Sequence, residues 1–217
     1  MTEETRAHFA KGYEYFQKQN YPESIKEFSS VIRDDEQTVD TYFFRAAAYF
    51  ETGKADEALR DYRRVLEIEP GQALAYLNIA MILKSKTRYS EAIENFDLAI
   101  ARKKDLGAAY YYKSESYFQM KRYTEAVSAM NLYIKHVPGD PNGYLFRGAI
   151  FEEMSEHKKA IADFEKVIKM NDKHPVPYYN LGLTYERMGE TEKAKDNYRK
   201  SADLGLKPAV ERLKNFS

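Results

Sequence analysis

Six copies of one 34-residue pattern run from Thr5 to Pro208, and no insertion breaks their register. A glycine or small residue recurs at Gly12, Ala46, Ala80, Ser114, Gly148 and Gly182. Three residues later come Tyr15, Tyr49, Leu83, Tyr117, Phe151 and Tyr185. A second small residue follows at Ser24, Ala58, Ala92, Ala126, Ala160 and Ala194. A large apolar group then appears at Phe28, Tyr62, Phe96, Met130, Phe164 and Tyr198. A constant period of this length restricts the chain to stacked supersecondary units, each too small to bury its own apolar face.

Each unit reads as two helices with a break between them. In the second unit the pattern predicts a first helix over 40–51, a stop at Thr52-Gly53-Lys54, and a second helix over 57–68. Glycine just past a helix end accepts the left-handed conformation. Asp56, Ser90 and Thr124 occupy one repeat position, where their side chains are expected to cap the second helices. The small residues let backbones approach. A first helix is thus expected to pack on its own second helix and on the first helix of the next unit.

This combination resembles the tetratricopeptide repeat. The Leu181-Gly182 pair and the Tyr123-Thr124-Glu125-Ala126 run carry the resemblance best, and it spans 204 of the 217 residues. The position the family fills with tryptophan reads His8, Tyr42, Tyr76, Tyr110, Tyr144 and Tyr178, while Ser24 and Met130 depart from its alanine and phenylalanine. The resemblance implies an all-α, right-handed superhelical solenoid. Its six helix-turn-helix units fall at 5–38, 39–72, 73–106, 107–140, 141–174 and 175–208, with a C-terminal capping helix over 208–217, all in one domain. Val210, Leu213 and Phe216 are expected to form the apolar face of that last helix. No matching cap is expected ahead of Phe9, Tyr13 and Phe16.

Composition removes other classes. The chain has no cysteine, which excludes disulfides, thiolate zinc sites and cysteine catalysis. No run approaches the ~20 apolar residues of a membrane span, so no membrane insertion is expected. The opening residues lack a basic segment followed by an apolar one, so no secretory signal is read and a cytoplasmic protein is expected. Net charge is zero, from 34 basic and 34 acidic groups, where a nucleic-acid binder carries a basic excess. The balance is uneven: residues 1–72 hold 10 basic and 15 acidic groups, leaving 24 and 19 for residues 73–217. His8, His136, His157 and His174 show no ligand spacing, and no phosphate loop or nucleophile motif occurs. The expectation is no enzyme, no catalytic residue, no metal and no cofactor. An undetected cofactor-dependent role is the most distant alternative.

The resemblance further implies a concave groove lined by first helices. The repeat positions that face it in the family supply Phe9, Tyr13, Phe43, Leu77, Asn78, Met81, Lys84, Tyr111, Glu115, Phe118, Tyr179 and Asn180. Asn78 and Asn180 resemble groove asparagines that grip a peptide backbone. The residues that hold the EEVD tails of heat-shock chaperones are not matched in any three consecutive units, so that partner is not expected. Burying one Phe-sized anchor yields ~1.5–3 kcal/mol, against ~4–15 kcal/mol lost on association. Several anchors with polar contacts are therefore needed. The implied function is non-catalytic: an adaptor or scaffold holding a peptide or helix of a protein partner in the groove. The alternative is a self-assembling scaffold, a homo-oligomer built through the uncapped amino end.

Overall fold

A computed structural model of the chain describes residues 2–33 and 38–216. The turn expected to close the first repeat, at 34–37, and the last residue of the expected capping stretch lie outside the described residues. Among the described residues there are thirteen α-helices and no strand. They form six pairs and a terminal helix. The pairs are α1 (Glu3–Gln17) with α2 (Tyr21–Arg33), α3 (Val39–Glu51) with α4 (Ala55–Ile68), and α5 (Ala73–Ser85) with α6 (Tyr89–Arg102). There follow α7 (Gly107–Gln119) with α8 (Tyr123–His136), α9 (Pro141–Glu153) with α10 (His157–Met170), and α11 (Pro175–Arg187) with α12 (Thr191–Asp203), before α13 (Lys207–Lys214).

The chain divides into two compact units, Met1–Ala109 and Tyr110–Ser217. Each is an all-α stack of helical repeats. In the first, α1 packs on α2, α3 on α4 and α5 on α6; in the second, α9 packs on α10 and α11 on α12. Neighbouring repeats join chiefly through a second helix and the next first helix: α2 on α3, α4 on α5, α8 on α9, α10 on α11. First helices also touch in α1–α3 and α9–α11. The expected join of first helix to first helix is thus the smaller part of the contact.

Every pair reverses through one backbone device. Gln19, Gly53, Thr87, Lys121, Ser155 and Gly189, spaced by the repeat, all have φ between +57° and +76°. The next residue then donates its amide to the carbonyl five residues back, from Asn20 to Tyr15, Lys54 to Tyr49, Arg88 to Leu83, Arg122 to Tyr117, Glu156 to Phe151 and Glu190 to Tyr185, at 2.8–2.9 Å. This is a Schellman closure. The same residue's carbonyl accepts the first bond of the second helix, as in Ala58 N to Lys54 O at 3.0 Å. The expected caps at Asp56, Ser90 and Thr124 are therefore wrong: the caps are Lys54, Arg88 and Arg122, and none makes a side-chain cap bond. The backbone closure already fixes the helix start two residues earlier. Side-chain caps occur instead at first helices, where Thr2, Thr38, Asp140 and His174 accept from Thr5, Thr41, Asn142 and Val176 amides.

The core follows the repeat. Phe28, Tyr62, Phe96, Met130, Phe164 and Tyr198 are all at most 2% exposed. Glycine opposite the ring sets the helix spacing: a Cβ on Gly148 would lie 2.5 Å from the Phe164 ring, and one on Gly182 2.5 Å from Tyr198. In the α1–α2 pair, the Ser24 hydroxyl on the second helix donates to the Gly12 carbonyl at 2.9 Å. In α7–α8 the direction reverses, and Ser114 on the first helix donates to the Ala126 carbonyl at 2.8 Å.

The two units also repeat each other at a spacing of 102 residues, three repeats. Arg45 makes a two-pronged pair with Asp61 (2.7 and 2.8 Å) and donates to Ser29; Arg147 does the same with Asp163 (2.8 and 2.6 Å) and Asn131. Both aspartates are at most 6% exposed. Phe16 on Phe44 and Phe118 on Phe146 are matching ring contacts at 5.6 and 5.4 Å. At the carboxyl end Ala209, not Val210, is buried against α12, and Val210 is 44% exposed. Phe216 does face inward, 5.9 Å from Tyr198.

Two stability measurements test this account. Thr87 is a β-branched residue at φ +59°, a conformation that costs ~1–2 kcal/mol in L-residues. Thr87→Gly is expected to raise thermal stability by about 0.5–1 kcal/mol after glycine's entropy loss. Arg147→Met, which strands the buried Asp163 carboxylate, is expected to cost about 3 kcal/mol in chemical denaturation, with most of it restored by Asp163→Leu in the same chain.

Candidate functional site

In the second unit α9 and α11 line a cavity of about 140 Å³ that is open to solvent on one side. From α9 come Ala149, Glu152 and Glu153; from α11 come Asn180, Leu183 and Arg187; the Phe164 ring of α10 lies at the back. Pro141 and Pro175 open these two helices at equivalent places. Six of the seven lining residues, all but Phe164, fall at repeat positions expected to face a groove.

Its polar groups divide into engaged and unengaged ones. The Glu152 carboxylate, 9% exposed, meets Nδ1 of His157 at 2.9 Å and the Arg187 guanidinium at 2.8 Å. Beyond the lining, Glu186 accepts from the Tyr198 hydroxyl at 2.5 Å and from Arg212 at 3.4 Å. Burial, and then the Glu186 carboxylate, push the Tyr198 phenol well above its ordinary value, so it stays a donor. The Asn180 side chain has no hydrogen-bond partner among the described residues, and neither has the Glu153 carboxylate.

The first unit shows why Asn180 is unengaged. Its counterpart 102 residues earlier, Asn78, donates through Nδ2 to the Tyr62 hydroxyl at 3.0 Å. Burial holds that phenol protonated far above its usual range. Phe164 stands where Tyr62 does, and it has no hydroxyl. One missing oxygen leaves the second asparagine's amide to the cavity. Phe50 and Met81 also replace Glu152 and Leu183 in the first unit.

The other sequence-predicted groove residues are spread over both units. Leu77 is 8% exposed and belongs to the core rather than to an open groove. Phe9 packs on Phe28 (5.6 Å) and Phe44, and Tyr13, 38% exposed, lies edge-on to Phe44 at 5.0 Å. Phe43 packs on Tyr62 at 5.4 Å, Tyr111 on Tyr133 at 5.1 Å, Phe118 on Tyr123 at 5.6 Å, and Tyr179 on Tyr198 at 5.7 Å. Met81, Lys84 and Glu115 are half-buried. Most of these rings have packing partners and show solvent only part of their surface. Glu153 and Arg187 stand at groove-facing repeat positions but are not among the candidate site residues, and position alone does not separate Asn180 from Asn78; the Tyr62-to-Phe164 change is the available signal.

Several charged groups elsewhere are locally compensated. Around the mid-repeat turns, Lys86 meets Asp56 at 2.5 Å, Arg88 meets Glu91, and Arg122 meets Glu125. The Lys86 hydrogen bond and then its charge hold the Asp56 carboxyl below its ordinary value. His8 meets Glu27 at 2.5 Å, and His136 stacks on Tyr110 at 5.2 Å. Among the described residues no group of three or more His, Cys, Asp or Glu side chains is placed to hold a metal ion. No described helix is long and apolar enough to cross a membrane.

Comparison with known proteins agrees with this architecture. Profiles described as tetratricopeptide repeat match residues 39–72, 77–141, 141–174 and 164–196, and one described as TPR repeat matches 12–53. A tetratricopeptide-repeat protein from Cytophaga hutchinsonii superposes with a TM-score of 0.82 at 21% identity, over 90% of this chain and 78% of its own. YrrB, described as a TPR protein with an unusual peptide-binding site, gives 0.73 at 21% identity, over 86% and 97%. PilF of Pseudomonas aeruginosa gives 0.75 at 15% identity, over 99% and 96%. No curated protein matches the chain. The chain belongs to the tetratricopeptide repeat family.

Ring packing has a measurable consequence. Phe43→Ala removes the partner of the Tyr62 ring and is expected to destabilise the chain by about 2–4 kcal/mol in chemical denaturation. It is a probe of stability before it is a probe of binding.

Proposed function

We propose that this tetratricopeptide-repeat chain binds an extended peptide segment of a partner protein across α9 and α11, with Asn180 gripping the segment's backbone. The role is binding and scaffolding rather than catalysis. The observation that carries the reading is the unpartnered Asn180 amide on a preformed cavity, in a fold whose equivalent asparagine is tied to Tyr62. An asparagine side chain has both donor and acceptor, which matches the paired N–H and C=O of an extended peptide. Such a grip depends little on sequence, so half-buried rings nearby, Tyr179 among them, supply further contact area. The peptide-binding site in the description of YrrB, which shares the fold, supports the same class of partner.

The test swaps one oxygen between the two units. Peptides are first selected on the immobilised chain from a random dodecapeptide display library, and their affinity is measured by fluorescence polarisation. Phe164→Tyr supplies Asn180 with the hydroxyl that Asn78 already has, and is expected to weaken binding about tenfold with the melting temperature little changed. Tyr62→Phe is expected to leave binding intact. Equal affinity for wild type and Phe164→Tyr would remove Asn180 from the site. The exposed Tyr13 ring on α1 favours a second reading, self-assembly through that helix. Light scattering against concentration checks it: a constant monomer mass ends that reading.

A further inference from the structure

We propose that the α9–α11 cavity reads a basic side chain, lysine or arginine, in the bound segment. This inference rests on the peptide reading above and adds the chemistry of the residue that enters. Three charged side chains line the cavity: Glu152, Glu153 and Arg187. Two of them cancel, since Arg187 sits 2.8 Å from Glu152. Arg187 is not released easily, because Glu152 is 9% exposed and would lose one of its two partners in a poorly solvated place. The neighbouring Glu186 carboxylate has Arg212. What is left is the single negative charge of Glu153, an exposed side chain with no partner among the described residues.

The shape agrees with the charge. Ala149, Leu183 and the Phe164 ring give apolar walls, and about 140 Å³ accommodates one long side chain rather than a helix. Lysine and arginine combine an apolar stem with a terminal cation, so the stem lies along the walls while the charge stays at the solvated rim beside Glu153. A carboxylate entering the same space would meet Glu153 and find Arg187 already paired. A wholly apolar side chain would fill the walls but leave Glu153 uncompensated. The first unit does not duplicate the device. Glu51 stands at the place of Glu153, but Phe50 and Ser85 replace Glu152 and Arg187, and Asn78 is engaged by Tyr62.

The experiment reads the sequences that the library selection returns. Wild type is expected to enrich dodecapeptides that share lysine or arginine at one fixed place, and the ratio of the two says which cation is preferred. Replacing that residue by glutamine in a synthetic copy is expected to weaken binding about threefold to fivefold. Glu153→Gln in the protein is expected to do the same, and the two changes together no more than either alone. Glu153→Lys is expected to shift the selected residue to aspartate or glutamate. Glu153 is exposed, so these variants keep the wild-type melting curve, which circular dichroism verifies. Peptides enriched without a fixed basic residue, or affinities that add independently in the double change, would overturn this inference and leave the peptide reading standing. A library that yields no enriched peptide would overturn both.

Discussion

A chain that reverses between two helices within three residues needs one residue in the left-handed region. Here that requirement recurs every 34 residues, and it is met by glycine only at Gly53 and Gly189. Elsewhere glutamine, threonine, lysine and serine accept the strain. The turn holds because its amide and carbonyl bonds close both helices at once, leaving neither end dependent on a side chain. The fixed turn sets the angle at which each pair meets. That angle brings the small residue of one helix under the ring of the other, and it presents the first helices to whatever the chain binds. In the second unit the cavity between α9 and α11 is a downstream product of turns at Ser155 and Gly189.

Much of this was legible in the sequence because it depends on repetition. Six matching residues identify a core position even when one of them is methionine, and all six lie buried. The helix bounds of the second repeat follow from the same pattern to within two residues. The capping residues are not legible, because Asp, Ser and Thr look like caps wherever they stand before an apolar run. Lys54 and Arg122 carry no such signature; their role is played by the backbone, which a side-chain reading does not see.

The site was legible only in part, for a different physical reason. A family pattern says which positions face a groove; it does not say which polar groups are already satisfied. Asn78 and Asn180 are identical by position and residue type. They differ because a residue sixteen places upstream is tyrosine in one case and phenylalanine in the other. Leu77 and Tyr13 likewise share the groove list but end at 8% and 38% exposure, because burial is decided by the neighbouring helix rather than by the repeat. The most informative comparison within this chain is therefore between its halves, where a common framework of Arg45–Asp61 and Arg147–Asp163 pairs isolates the substitutions that matter.

The reversed serines show at what level the fold tolerates exchange. Ser24 and Ser114 make the same tie between two helices, one from the second helix and one from the first. A hybrid of α1 with α8 would bring Gly12 against Ala126 and contain no hydroxyl at all. The reciprocal hybrid of α7 with α2 would crowd two hydroxyls into the space of one. Individual helices of this chain are not interchangeable parts, although their patterns match. The piece that can be moved, duplicated or grafted intact is the helix pair, since only the pair preserves the complement between its two faces.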